Sequence, residues 1–280
     1  MDADTAVDVS KFVALAAQIR DRWFPDEPTW GPWFRGLSRS DYELVPSFPR
    51  CWKNPRPVDD SRNMEDELRQ EFVMRAPSLI ATPPQDAWDW YFLMQHSGAP
   101  TRLLDWTEGS LIALYFAVRD AARDDDARAD AAVWVLDPWW LNKLAVDVPE
   151  VITPSIATGI AKKDAERYKP WLPERFEKVQ LPKLPVAVYP SYTVPRIGMQ
   201  RSCFTVHGSD TKAFEKIARK KDSRLQKVVI PSSSVTEIRK QLVLSGIDEL
   251  TIYPDIDGLG RSLAKVLEIE VKAASTIWHV

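Results

Sequence analysis

Four short stretches set a charged or amide side chain among apolar and aromatic neighbours: Trp33-Phe34-Arg35-Gly36, His96 to Thr107, Arg196 to Phe204, and Tyr253 to Gly258. An ion buried there without a partner is costly, so each stretch calls for an internal salt bridge or a ligand. The bridging reading pairs Arg35 or Arg102 with Asp105 or Glu65 and holds loops together. The ligand reading uses the planar guanidinium, which offers two parallel donors to an anionic partner. For any one charged residue taken alone, structural pairing is the commoner outcome.

Several other chemistries are excluded. Cys51 and Cys203 are the only cysteines and lack a Cys-x-x-Cys partner, which supports neither a disulfide framework nor a cysteine zinc site. His96, His207 and His279 form no HExxH, and no metal site is expected. GxGxxG, GxxxxGK[ST] and GxSxG are all missing, which argues against a Rossmann-type cofactor fold, a Walker-type NTPase and a nucleophile-elbow hydrolase.

The 37 Lys+Arg against 40 Asp+Glu give a net charge of -3, so nothing global points to a nucleic acid or a membrane surface. Local basic stretches remain at Lys162-Lys163 with Arg167 and Lys169, beside Tyr168 and Trp171, and at Arg219 to Lys221; a solvated face is the simpler reading of both. The N-terminal MDADTAVDVS has no basic and apolar leader pattern, and no stretch reaches the ~18 apolar residues of a membrane span. A soluble, cytoplasmic chain is expected. Its 280 residues allow one large domain or two small ones. No repeat, low-complexity linker or composition shift divides them, so residues 1–280 are read as one domain. The 22 prolines and 12 tryptophans imply long ordered loops and many aromatic surfaces to bury.

The elements that would position the four stretches follow from periodicity. Phe12, Leu15, Ala16, Ile19 and Trp23 recur at helical spacing, so a helix opens the chain. Trp33 to Leu37 reads as a strand, and the proline-rich Glu43 to Val58 as an extended loop. A helix starts near Asn63 and runs to Pro77; another starts at Asp86 and stops at Gly98. Arg102 to Thr107 forms a short strand and turn, with Thr107 placed to cap a helix from Ser110 to Ala121. Asp124 to Asp126 is a solvated turn, Ala131 to Leu136 a strand, and Pro138 a helix start. Residues 146–185 read as an irregular, partly helical insertion. Beyond it, Val186 to Pro190, Ser202 to His207, Gln226 to Ile230 and Leu250 to Tyr253 are strand-like, with helices near Ala213 to Arg219, Ser233 to Ser245 and Gly258 to Lys272. Strands and helices mix without regular alternation, which implies an α+β fold: a mixed, mainly antiparallel sheet with flanking helices.

Taken in order, the stretches resemble the FRG domain family, named for a Phe-Arg-Gly motif. Here that motif is Phe34-Arg35-Gly36, followed by Val45-Pro46-Ser47-Phe48-Pro49-Arg50, by Glu65-x-x-Leu68-x-x-x-Phe72, and by Gln95-His96-Ser97-Gly98-Ala99-Pro100-Thr101-Arg102-Leu103-Leu104-Asp105-Trp106-Thr107 leading into Ala113-Leu114-Tyr115-Phe116-Ala117. Arg196, Ile197, Gln200 and Phe204, then Gly246-Ile247 and Tyr253 to Leu259, complete the pattern over about residues 30–265. The family itself implies no settled activity. A weaker resemblance is to ADP-ribosyltransferases, in which an aromatic-Arg-Gly strand, a strand ending in a Ser/Thr turn before an Ala-x-x-Phe-Ala-like helix, and a Gln- or Glu-headed strand follow one another.

That second resemblance implies NAD as substrate and an ADP-ribosyltransferase-like fold. Cleavage of the nicotinamide–ribose bond develops positive charge on the ribose, which a carboxylate stabilises; Asp105 and Glu65, with Gln200, become the catalytic candidates. Arg35 or Arg102 would hold the pyrophosphate, Trp106, Tyr115 or Phe204 would wall the nicotinamide ring, and His96 would bind a ribose hydroxyl, with Gly36, Thr107 and Arg196 in the same NAD-binding set. One departure stands out: two residues after Gln200, where such transferases carry a glutamate, this chain has Ser202. The implied function is a bacterial or phage defence or toxin effector, modifying a protein or nucleic acid. The alternatives are a non-catalytic module that recognises a nucleotide or a partner, and a hydrolase of glycosidic bonds using Asp105 and Glu65. Aromatics at helical spacing, such as Trp88, Tyr91, Phe92 and Tyr115, are by default core.

Overall fold

The computed structural model describes residues 4–51, 57–120, 129–154, 166–174, 180–191 and 195–264. A seven-stranded sheet organises them: β1 (Asp4–Thr5), β2 (Trp33–Leu37), β3 (Leu103–Thr107), β4 (Ala131–Leu136), β5 (Val186–Val188), β6 (Ser202–Val206) and β7 (Leu225–Ile230), in the order β1-β7-β4-β2-β3-β6-β5. Among these strands only the β1–β7 pair is parallel. The fold is thus α+β with a mainly antiparallel sheet.

Helices cover both faces because the strands bury apolar residues on both. Strand β4 reads Ala-Ala-Val-Trp-Val-Leu and is buried except for half-buried Trp134. On one face, Phe34, Val133, Val135, Val228 and Ile230 pack against α1 (Val9–Trp23), α5 (Ser110–Arg119) and α9 (Val235–Leu244). On the same face over the other half of the sheet, Leu103, Phe204, Val206, Val186 and Val188 pack against Trp88, Tyr91 and Phe92 of α4 (Ala87–His96) and against Tyr168 and Trp171. The opposite face buries Trp33, Leu104, Trp106, Leu136 and Cys203 beneath Leu141 of α6 (Pro138–Val146) and Phe214 of α8 (Ala213–Ala218).

Local chemistry explains the element ends. Asp86 caps α4 by accepting from the amides of Trp88 and Asp89, and Gly98 follows the helix at φ +82°, a conformation that glycine adopts without strain. Asp137 caps α6 by accepting from the Trp140 amide.

Some elements differ from the sequence expectations. A two-residue strand precedes the first helix, held by the register of Asp4 on Val228 and Thr5 on Val229; two residues are too short for a periodic signal. The loop after Glu43 contains a helical turn, α2 (Ser47–Arg50), and α3 (Val58–Arg75) starts directly after Pro57 rather than near Asn63. Leu250 to Tyr253 is no strand: α10 (Glu249–Ile252) forms there because Asp248 accepts from the Thr251 amide and buried Glu249 bonds Tyr115 and Arg261. Residues 256–264 are helical, and the rest of the expected last helix lies outside the described residues, as do Asp124 to Asp126, Lys162 and Lys163. Within the stretch read as an insertion, Tyr168 and Trp171 are core residues, and beyond it a short helix, α7 (Pro195–Met199), leads into β6.

Candidate functional site

The Phe-Arg-Gly strand is shaped by its neighbours on both sides. Phe34 enters the core under α5. At Gly36 a Cβ would stand 2.0 Å from the Ala113 carbonyl oxygen and 2.5 Å from the Ala117 amide nitrogen, so only glycine lets the α5 backbone lie this close to β2. Between them, Arg35 has its side chain mostly buried.

Strand β2 runs in full register along β4, from Trp33 on Leu136 to Leu37 on Ala132, but pairs with β3 only at Phe34 on Thr107. Past that rung the two strands part. The opening lies between the two apolar clusters of one sheet face and forms a cleft of about 510 Å³. Arg35 bridges it, donating from Nη1 to the Asp105 backbone carbonyl at 2.6 Å and standing 3.7 Å from Asp105 Oδ2. The Arg35 Nε is buried without a hydrogen-bond partner among the described residues. Burial pulls this guanidinium below its ordinary pKa; Asp105 opposes the shift and the like charge of Arg50 adds to it.

From the other wall, Gln95 at the end of α4 donates from Nε2 to Asp105 Oδ2 at 2.8 Å, and its Oε1 accepts from Thr101 Oγ1 at 2.5 Å. Thr101 Oγ1 in turn accepts from the Leu103 amide. Two side chains therefore orient the Asp105 carboxylate, which remains 56 % exposed to the cleft.

The walls are aromatic. Phe204 stacks on Phe92 with ring centroids 5.3 Å apart, and Phe116 lines the same space. The indole of Trp106, expected against the nicotinamide ring, instead lies on the opposite sheet face, where it donates to Thr205 Oγ1 at 2.9 Å and packs on Phe214. His96, Tyr42, Asp120, Ile197, Ser202 and Gln200 also line the cleft. Thr107 does not cap α5 with its side chain; it accepts from the Gly109 amide and donates to the Gln200 carbonyl, fixing the turn before the helix to the turn before β6. The Gln200 amide donates to the Ile252 carbonyl at 3.1 Å, which ties the segment around Tyr253 to the cleft rim.

Of the residues singled out from sequence, the fold brings Arg35, Gly36, His96, Asp105, Thr107, Gln200 and Phe204 together. Glu65 and Arg102 lie elsewhere, in a buried knot. Arg102 donates from Nε to Glu65 Oε2 at 2.5 Å, from Nη1 to the His207 carbonyl and from Nη2 to the Trp171 carbonyl. Glu65 Oε1 accepts from the Tyr91 hydroxyl and the Arg102 amide. Glu65 is fully buried, so this carboxylate does not face the cleft. Tyr115 is packed in the core with its hydroxyl on Glu249 Oε2 at 2.5 Å; one residue on around the helix, Phe116 takes the cleft position. The Arg196 side chain lies outside what the structure describes.

Gln95, Tyr42, Phe116 and Asp120 complete the set without having been singled out as site residues. Gln95 opens the thirteen-residue block and Phe116 sits in the helix motif; proximity to those motifs is the signal that pointed to them. Among the described residues, no group of three or more His, Cys, Asp or Glu could hold a metal ion.

Comparison with curated proteins and with solved structures finds no match. The model of the FRG domain matches residues 31–126, a span that runs from the loop before β2 past the end of α5 and supplies Arg35, Gln95, Asp105 and Phe116, while Gln200 and Phe204 lie beyond it. With the Phe-Arg-Gly strand and Asp105 inside that span, the chain carries an FRG domain over residues 31–126.

Proposed function

We propose that the cleft binds NAD and that the chain cleaves its nicotinamide–ribose bond, as an ADP-ribosyltransferase-like enzyme. The observation that carries this reading is the Asp105 carboxylate, held from two sides by Arg35 and Gln95 and open to the cleft. When the bond between ribose C1′ and the nicotinamide nitrogen breaks, its electron pair goes to nicotinamide and the ribose becomes oxocarbenium-like. An oriented carboxylate stabilises that charge. The acceptor then forms the new bond to C1′ and gives up its proton.

The residues present fit such a substrate. A volume of about 510 Å³ lies within the usual range of small-molecule sites. Phe116 and Phe204 offer aromatic surface to a ring, and the Arg35 guanidinium in the wall supplies positive charge toward a phosphate. Asp105 takes the role that a glutamate at the Ser202 position has in transferases of this kind. A protein or nucleic-acid acceptor makes the chain a transferase, with a defence or toxin role; water as acceptor makes it a glycohydrolase.

Ser202 also favours a second reading, a non-catalytic module that binds a nucleotide or a partner in the same cleft. Incubation of the purified chain with NAD separates the two. Free nicotinamide that accumulates with wild-type protein and not with Asp105→Asn is the expected result; NAD bound without nicotinamide release selects the module, and no binding overturns both.

A further inference from the structure

A second cavity, of about 710 Å³, is larger than the cleft and meets it at Tyr42. Three segments wall it: the one carrying α2, the start of α3, and the turn after β6. Each is fastened before any ligand arrives. The Phe48 amide donates to the Thr101 carbonyl at 3.0 Å and the Thr101 amide to Ser47 Oγ at 3.2 Å, which seats α2. Arg102, itself in the wall, ties Glu65 of α3 to the His207 carbonyl. Behind the turn after β6 the chain passes so close that a Cβ on Gly208 would stand 2.0 Å from the Pro182 carbonyl oxygen, and the Ser209 amide donates to that same oxygen at 2.8 Å. A preformed cavity of this kind pays little ordering entropy on binding.

The wall carries an excess of positive charge. Among the described residues its cations are Arg50, Arg62, Arg102 and Lys212, and its carboxylates Asp41 and Glu43. Arg102 is neutralised by Glu65, and Asp41 takes two bonds from Arg39, at 3.0 and 2.9 Å. Glu43 is left against Arg50 and Lys212, before the buried Arg62 is counted. Arg50 and Lys212 are exposed. The side chain of Arg50 bonds the Pro46 carbonyl of its own turn, Nε to O at 3.3 Å, and Asp210, two residues before Lys212, is taken by Lys216 Nζ at 2.5 Å. Neither Arg50 nor Lys212 has a carboxylate at salt-bridge distance among the described residues. Beside these charges lie the apolar side chains of Val45, Phe48, Pro49 and Leu181.

We infer that this cavity is a second ligand site, for an organic phosphate: Arg50 and Lys212 supply the charge that draws the phosphate, and the apolar wall around Phe48 and Leu181 covers the rest of the molecule. Arg35 and Asp105 line the cleft and not this cavity, so the site does not depend on what the cleft binds.

Calorimetric titration of the full chain with phenyl phosphate tests the site. Wild-type protein should bind it, and a double variant, Arg50→Gln with Lys212→Gln, should bind it about tenfold or more weakly, the scale of a lost charge-assisted contact. Phenol, the same ring without the phosphate, should also bind wild type about tenfold or more weakly. No binding by wild type, equal binding by the double variant, or equal binding of phenol overturns the site. The melting temperature should stay unchanged, since both side chains are exposed. If the double variant melts well below wild type, Lys212→Glu alone carries the test: it reverses one charge at an exposed position, and the same loss of affinity is expected, with unchanged affinity overturning the site. Arg35→Lys locates the ligand. Its affinity for phenyl phosphate should equal that of wild type, and a loss there with none in the double variant places the ligand in the cleft and overturns the site. None of these measurements involves nicotinamide release, so this site and the catalytic reading of the cleft fail separately.

Discussion

Arg35 grips the main chain of Asp105 more closely than its carboxylate, at 2.6 Å to the backbone carbonyl against 3.7 Å to Oδ2. The guanidinium therefore keeps a hydrogen bond when the carboxylate is removed. Asp105→Asn should leave the melting temperature nearly unchanged, since a half-exposed ion pair contributes about 0–1 kcal/mol. Nicotinamide release should fall by a factor on the order of 100 to 1000, the usual effect of losing one well-placed electrostatic group. A sharp drop in melting temperature would instead assign Asp105 a structural part.

Arg35→Lys removes the fork while keeping a cation. The expected outcome is a folded protein whose affinity for nucleotide drops about tenfold or more. Circular dichroism checks the fold and titration the affinity; wild-type affinity in the variant would remove Arg35 from the binding surface.

Gln95→Ala should reduce turnover by a factor on the order of 10 while binding changes little, because the carboxylate loses one of its two orienting contacts and the cavity keeps its walls. Gln95→Glu should be worse than alanine, since it sets a second carboxylate against Asp105. Equal kcat for all three proteins would show that Gln95 positions nothing.

The Arg102–Glu65–Tyr91 knot belongs to stability. Glu65→Gln should cost about 3 to 5 kcal/mol in denaturant unfolding, because it strands a buried guanidinium. Gly36→Ala should cost about 3 kcal/mol through the clash with α5, whereas Gly31→Ala, with open space at that position, should cost well under that.

His207 gives the acid dependence a sign. Its ring is buried on Phe214, and burial, with the nearby Arg102 charge, pushes its pKa down to about 3. The unfolded chain binds this proton near pH 6.5 and the folded chain only near pH 3, so stability falls as pH drops between those values. Unfolding free energy measured from about pH 6.5 to about pH 5 should decline less steeply in His207→Phe than in wild type; parallel slopes would remove His207 as the cause.

Much of the site was readable from residue types because a charge among aromatics has few resting places. Arg35 and Asp105 were expected at one cleft and stand 3.7 Å apart, and Arg102 with Glu65 turned out to be the bridge that the same argument allowed. Periodicity also located the buried strand at Ala131–Leu136. Gln95 escaped notice as a working residue because a glutamine in the last turn of a helix is ordinarily solvated. Helical phase misled at Tyr115 and Phe116: two adjacent aromatics are about 100° apart on the helix, and only tertiary packing decides which one faces the cleft. At Glu249–Ile252 the β-branched and aromatic residues suggested a strand, but an Asp248 cap and two bonds to buried Glu249 outweigh that propensity.

The parting of β2 and β3 leaves amide protons beyond the Phe34–Thr107 rung without the cross-strand partners that a continuous ladder would give them. Such protons exchange readily with solvent deuterium, in contrast to those along the fully paired β2–β4 seam. A compound lodged in the opening would slow their exchange selectively, so deuterium uptake by peptides containing Arg35 to Leu37 and Asp105 would report occupancy of this spot whatever the compound is. A screen of that kind follows the backbone itself, so compounds that undergo no reaction register as readily as those that do.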